Sequence, residues 1–326
     1  MPIDIRSNRS RYTRHLRGEG IEIGALHGAL EMPPSQARVR YVDYKTTDEL
    51  RQIYKELEGI VDVDVIVPAE DLSPFADASL DFIVANHVVE HLANPLATLM
   101  HWRSKLKTGG ILYMAFPHWR DCPDKVRPLT SPEHVVADFR AGVVDPVPEH
   151  VLSFVWAWNP AYFADPSEME RLLRHLWEHD LRDLDEVAES MIGVNRPAVD
   201  ALLRDRVQKE IHHHTFTYDS MKELLSYARE DLDLGFELID VSKTKGALSE
   251  YIFIMEAADR VDTPFVTPRA LDAERAETAL EAPGAGDESD VAGVSEPAPA
   301  PQAQGESATA CGALRRAWHS LRRFRR

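Results

Sequence analysis

The chain has 326 residues, enough for one large α/β domain with a sizeable core and additions to it. Its formal charge is −17, from 54 acidic against 37 basic residues, a balance that disfavours general nucleic-acid binding, where affinity rests on neutralising phosphates. Its two cysteines, Cys122 and Cys311, lie far apart, the apolar runs fall short of a membrane span, and Met-Pro-Ile-Asp-Ile-Arg-Ser at the amino terminus has no apolar signal core; together these point to a protein of the reducing cytoplasm without a disulfide framework.

Residues 1–17 form a basic arm with Arg6, Arg9, Arg11, Arg14 and Arg17. It reads as a solvated leading segment, or as a lid or a contact for an anionic acceptor. From Gly20 onward, apolar strands alternate with helical segments. Strands are predicted near 20–24, 39–43, 63–67, 80–85, 111–116, 236–242 and 250–256. Helices are predicted near 27–31, 47–58, 94–106 and 218–231. This alternation predicts a Rossmann-like α/β fold, a seven-stranded, mostly parallel sheet with helices on both faces. The last two strands are close enough in sequence to form a hairpin.

Residues 118–217 break the alternation and are rich in His, Trp, Pro and acidic side chains. A stretch of about a hundred residues is long for a plain connection, so a helical cap insertion is expected. The main domain would then run over 18–260, with the cap over 118–217. Residues 261–312 are dominated by Ala, Pro, Glu, Gly and Ser, a composition that predicts disorder. In the last segment, 313–326, Leu314, Ala317, Trp318, Leu321 and Phe324 recur at helical spacing against an arginine face. That is a basic amphipathic tail, either a solubilising end or a peripheral contact for an anionic membrane or partner.

The first strand, Gly20-Ile21-Glu22-Ile23, ends in the turn Gly24-Ala25-Leu26-His27-Gly28, and Asp43 ends the second. A strand, a glycine turn and an acid about 20 residues on suit a nucleoside. Glycine lets the backbone approach the ligand, and the acid accepts from the ribose hydroxyls. Downstream come Leu80-Asp81-Phe82-Ile83-Val84-Ala85-Asn86-His87, then Glu90-His91-Leu92, then Lys107-Thr108-Gly109-Gly110 entering the fifth strand. These ordered motifs resemble the class I S-adenosylmethionine-dependent methyltransferases.

The resemblance implies a cofactor site. Glu22 would order the turn and face the methionine ammonium, with Gly24, Ala25 and Gly28 in the turn itself. Asp43 would hold the ribose, and Tyr44 would pack on adenine. Pro68 stands where many relatives carry the acid that reads the adenine amino group. The Ala69 amide would still donate to the ring, and Glu70 or Asp71 would accept. Asn86 and His87, at the tip of the fourth strand, would flank the ammonium and the sulfonium. The stretch from Arg127-Pro128-Leu129-Thr130 to Glu133-His134, with the later His-Thr-Phe-Thr, also resembles bacterial glycan and sugar O-methyltransferases. That implies a small-molecule or oligosaccharide acceptor, with N- or C-methylation, or a non-catalytic scaffold, as the other readings.

A hydroxyl acceptor needs a base, or a divalent cation such as Mg²⁺, to expose its oxygen. Histidine suits the base near neutral pH. Ser131 followed by Pro132 reads as a helix start, which puts Glu133 and His134 in the first turn. His134 and Glu133 are the leading catalytic candidates, with His118 and His213 lining the same pocket. His150 and the run His212-His213-His214 add imidazoles; an extended run would send His212 and His214 to one face and His213 to the other. No dedicated ligand spacing such as H-E-x-x-H is present. The aromatic run Phe154 to Trp158, with Tyr162 and Phe163, is either cap core or a surface for a flat acceptor.

Overall fold

Strand β1 (Gly18–Ile23) is central to the sheet, and its Gly20 explains how closely the sheet packs: a Cβ there would come within 2.4 Å of the Phe82 ring. The protein is seen here as a computed structural model describing residues 5–144, 150, 153–154, 157, 211–242 and 250–259. Around β1 lie β2 (Ala37–Asp43), β3 (Val65–Ile66), β4 (Leu80–Asn86), β5 (Leu106–Pro117), β6 (Phe236–Val241) and β7 (Glu250–Ala257). Their order is β3-β2-β1-β4-β5-β7-β6. The pairs β1–β2, β1–β4, β2–β3 and β4–β5 are parallel, and β7 is antiparallel to both β5 and β6. This is a Rossmann-like, mostly parallel sheet ending in a hairpin. From β1 the chain steps one way to β2 and the other way to β4. The crevice outside the carboxyl ends of β1 and β4 is therefore the ligand position of such sheets.

The central strands are apolar on both faces, as a covered parallel sheet requires. Phe82, Val84, Tyr113, Ala115, Ile252 and Ile254 share one buried cluster with Tyr12, Leu16 and Leu30. Their alternates Ile83, Ala85, Leu112, Met114 and Phe253 are equally buried. The Tyr218 ring lies 5.4 Å from Phe253, which places α5 (Tyr218–Leu232) on that second face.

The leading segment differs from the free arm. It forms α1 (Ile5–Ser10) and a 3₁₀ turn over Thr13–His15. Tyr12 and Leu16 bury against the sheet, the Tyr12 hydroxyl donates to the Val241 carbonyl, and Tyr113 donates to the Arg9 carbonyl. Two apolar residues at i and i+4 outweigh the arginines between them.

Helix starts follow the chain's caps. Thr46 and Glu49 form a capping box before α2 (Thr47–Ile53), and Asn94 accepts from the Ala97 amide before α3 (Pro95–Lys105). Ser131 caps α4 (Pro132–Ala141) by accepting from the His134 amide, and Gly142 ends it in the left-handed region with φ 64°. Helix α2 is shorter than 47–58, because Tyr54 turns inward and Leu57 bonds back to its carbonyl. The predicted helix over 27–31 is absent: Leu26 adopts φ 48°, and the Leu30 amide goes to the Glu22 carboxylate rather than to a carbonyl one turn back. Glu90 and His91 lie in a 3₁₀ turn, Val89–His91, not in α3. Most of 145–210, the tract 261–312 and the tail 313–326 lie outside the described residues, so the disorder, tail and aromatic-run expectations fall there, apart from buried Phe154.

Candidate active site

Glu22 is the next-to-last residue of β1 and is fully buried. Its two oxygens accept from the Leu30 amide at 3.2 and 3.0 Å, and one accepts from Asn86 Nδ2 at 3.3 Å. One carboxyl thus folds the loop after β1 back onto the strand and joins it to the tip of β4. Burial pushes this carboxyl up to about 7, against the opposing pull of the Leu30 amide, Asn86 and Arg9.

The loop itself leaves room for a ligand. Gly24 turns with φ 65°, and its amide donates to the Val42 carbonyl at 2.9 Å. A Cβ at Gly24 would meet only Val88, and one at Gly28 only the Ala25 carbonyl and an Arg9 nitrogen, all beyond 3.6 Å. Leu26, in the place of a family glycine, keeps the positive φ that glycine would take freely, and its carbonyl accepts from the Val61 amide at 2.9 Å. The turn therefore survives the substitution, with some backbone strain.

Asp43 ends β2 and is 7% exposed, with Oδ1 accepting from the Lys45 amide at 3.1 Å. Tyr44 is partly buried and carries the Lys45 ammonium 4.0 Å from its ring centre. The loop after β3 is held by Trp102 Nε1, which donates to the Ala69 carbonyl at 2.8 Å. Glu70 is exposed. Asp71 is exposed too and caps a local turn by accepting from the Ser73 amide at 2.9 Å. Glu22, Gly24, Asp43, Ala69 and Asn86 thus lie at or just beyond the carboxyl ends of β1 to β4, the usual ligand position of such sheets.

The tip of β4 carries a second set of charges. His87 holds φ 55°, and its Nε2 lies 2.8 Å from Glu250 at the start of β7. Glu250 also accepts from Arg9 Nε at 2.9 Å, so α1, β4 and β7 meet at one buried carboxylate. Although burial opposes it, the bonds from His87 and Arg9 bring Glu250 down to about 2. Residues left in sparsely populated φ regions at strand tips are a mark of functional sites.

Beyond this tip lies a buried histidine-rich region. His134 Nε2 is 2.7 Å from His150 Nε2 and 3.4 Å from Asp138 Oδ2, and His150 Nε2 is 3.8 Å from the same oxygen. The His214 ring centre lies 4.7 Å from that of His150 and 6.0 Å from that of His134. His212 bonds Asp124 and meets the His91 ring edge-on at 4.7 Å. Although burial opposes it, His212 and Arg127 hold Asp124 well below the usual carboxylate range. Burial keeps His91, His150 and His214 neutral, with their pKa values well below the usual imidazole range.

Among the described residues, two groups of side chains offer metal-ligating atoms within 4.8 Å of one another: His134, Asp138, His150 and His214, and Glu90, His91 and His212. Both are dominated by imidazole, whereas Mg²⁺ prefers oxygen donors. The donors present therefore do not fit the Mg²⁺ expected from the hydroxyl chemistry.

The four catalytic candidates are not one constellation. His134 is buried inside the imidazole cluster, whereas Glu133 is exposed. Glu133 lines a groove of about 700 Å³ between α4 and α5 with Val136, Arg140 and Tyr227, on a different face of α4 from His134 and Asp138. His118 follows β5, with its ring 4.9 Å from Tyr251 and Nδ1 3.5 Å from Asp121. His213 stacks on His150 at 5.8 Å, and its amide donates to the Glu90 carbonyl. The triplet does not divide into inward and outward faces: His212, His213 and His214 are all at most 2% exposed. Sequence reasoning gave no role to Asp138, Asp124 or Glu250, and it named Arg9 only as one of the arginines of the leading arm. Asp138 had a legible signal, since it stands four residues after His134 and so on the same helical face.

The methyltransferase domain family matches residues 20–114, from β1 into β5. No curated protein sequence matches the chain. Among solved structures, a CurJ carbon methyltransferase aligns at 18% identity and TM-score 0.36, over 76% of this chain and 51% of its own, so the chain spans about half that relative's length. A protein from Pyrococcus horikoshii OT3, PH0226, aligns at 15% identity and TM-score 0.38, over 78% of this chain and 94% of its own. A trans-methyltransferase, CalH, solved in complex with SAH, aligns at 19% identity and TM-score 0.24, over 35% of this chain and 34% of its own. The family match runs from β1 into β5, so the part of the chain that is similar to a methyltransferase domain is also the part on which the site is built.

Proposed function

We propose that this chain transfers a methyl group from S-adenosylmethionine to a hydroxyl of a saccharide or related metabolite. The observation that carries the reading is the junction at Asn86 and His87. Asn86 bonds the acid of the cofactor end, and the next residue opens onto the imidazoles and carboxylates beyond β4. When bound, the cofactor supplies the electrophilic methyl carbon, and displacement there needs alignment and an exposed acceptor oxygen.

Asp43 would accept from both ribose hydroxyls, and Glu22 would face the ammonium while keeping the loop folded. Of the candidates His118, His134 and His213, His118 is the one that an acceptor can reach. It leaves the tip of β5 with 27% of its side chain exposed, so it takes the hydroxyl proton at an imidazole nitrogen. His134 and His213 belong to the buried imidazole cluster, and Glu133 lies apart from them in the groove between α4 and α5.

The test is a labelled methyl-transfer screen of the full chain against glycans and small hydroxylated metabolites, with and without Mg²⁺. Methylation of a hydroxyl that falls about 10²- to 10⁴-fold in His118→Ala, with S-adenosylmethionine affinity kept, supports the reading. Transfer to nitrogen or carbon acceptors alone would replace it.

A further inference from the structure

We propose that His134, Asp138, His150 and His214 bind one divalent transition metal of the zinc class, which ties the inserted segment to the rim of the sheet. The inference does not depend on which acceptor is methylated. The four side chains come from three separate stretches of chain. His134 and Asp138 lie on one face of α4, His150 belongs to a helical residue beyond it, and His214 sits in the run that leads into α5. All four are at most 8% exposed.

The donor chemistry is selective. Three imidazole nitrogens and one carboxylate oxygen suit zinc and its neighbours in the first transition row, not Mg²⁺ or Ca²⁺. The spacing also fits. Zinc bonds of about 2.0–2.2 Å in a tetrahedron place neighbouring donors roughly 3.3–3.5 Å apart. His134 Nε2 and Asp138 Oδ2 are 3.4 Å apart, and His150 Nε2 and that oxygen are 3.8 Å apart. The 2.7 Å contact between His134 and His150 would open by roughly half an ångström to the tetrahedral spacing.

Both ring nitrogens of His214 are buried and have no hydrogen-bond partner among the described residues, which leaves the ring available to a metal. The His214 amide donates to the Glu90 carbonyl at 3.2 Å, and Glu90 stands between the β4 tip and α3, so a metal here would couple the insertion to the rim of the cofactor crevice. Four protein donors in a buried position describe a closed, structural site rather than one with an open place for substrate.

The experiment uses the full chain, stripped with a chelator and titrated with Co²⁺ and then with Zn²⁺. The proposal expects one tightly bound equivalent, visible bands of four-coordinate Co²⁺, displacement by Zn²⁺ and a higher melting temperature with metal. Asp138→Asn and His214→Ala should each weaken binding by about 100-fold or more, while Glu223→Gln, on the exposed groove, should bind as the wild type does. X-ray absorption of the zinc-loaded wild type reads the donors without any variant and should show imidazole scattering in a four-coordinate shell. A folded wild type that binds no metal or gives only six-coordinate Co²⁺ spectra, or metal binding in both ligand variants as tight as in the wild type, overturns the proposal.

Discussion

Asn86 donates its side-chain amide to Glu22 at 3.3 Å, across the boundary where β4 lies beside β1. This bond joins the loop that would receive the cofactor to the strand tip that leads towards the acceptor. It also places a carboxyl that titrates at about 7 at the centre of the site.

That carboxyl should make cofactor affinity depend on pH. A ligand ammonium favours the carboxylate, so binding lowers the Glu22 pKa and releases a proton. Affinity should rise with pH through the acidic range to about 7 and then level off. Glu22→Gln should flatten the profile and weaken binding at pH 8. Calorimetry in buffers of different ionisation enthalpy measures the proton release directly. A wild-type affinity that is constant from pH 5.5 to 8 would remove Glu22 from contact with the ammonium.

Glu250 should govern part of the acid stability. Its folded pKa of about 2 lies below the ordinary 4.5, so its stabilisation is complete above about 4.5 and is lost as pH falls towards 2. The shift corresponds to roughly 3 kcal/mol. Glu250→Ala leaves the Arg9 guanidinium buried without its carboxylate and should destabilise the fold by about 3–5 kcal/mol at pH 7. Urea denaturation at pH 7 and pH 3.5 measures both effects, and the variant should lose less stability on acidification than the wild type. Equal losses would show that another carboxylate dominates.

How far these relationships were legible in the sequence depends on their range. The strand positions and the acids at strand ends follow from apolar runs punctuated by glycine, because parallel strands buried on both faces leave that pattern. The pairing of Arg9 with Glu250 spans 241 positions and leaves no local trace. The arginines of the leading segment suggested a free arm, but Tyr12 and Leu16 decide its packing. Helix propensity over 27–31 lost to a tertiary bond, the Leu30 amide to Glu22. Capping was the most faithful local signal: Ser131 with Pro132 placed α4, and the spacing of His134 and Asp138 on that helix was visible in principle. Their meeting with His150 and His214 depends on closing a long insertion, which periodicity does not encode.

The tail can be separated from the site. The seven strands of the described sheet and the proposed cofactor residues lie before residue 260, so deleting 261–326 should leave S-adenosylmethionine affinity within about twofold. If the arginine-rich amphipathic segment contacts an anionic surface, the same deletion should reduce co-sedimentation with phosphatidylserine vesicles at low salt. Equal sedimentation of both proteins would assign the segment no membrane role.

The most direct measurement is isothermal titration calorimetry of the full chain with S-adenosylmethionine and its demethylated product, beside Asp43→Ala. Both ligands should bind the wild type at one site, and the variant should bind about 10- to 100-fold more weakly, because ribose hydroxyls left without their acceptor cost on the order of 1–3 kcal/mol. No binding by a folded wild type would contradict the account, and an unchanged affinity in Asp43→Ala would move the ribose contact away from the end of β2.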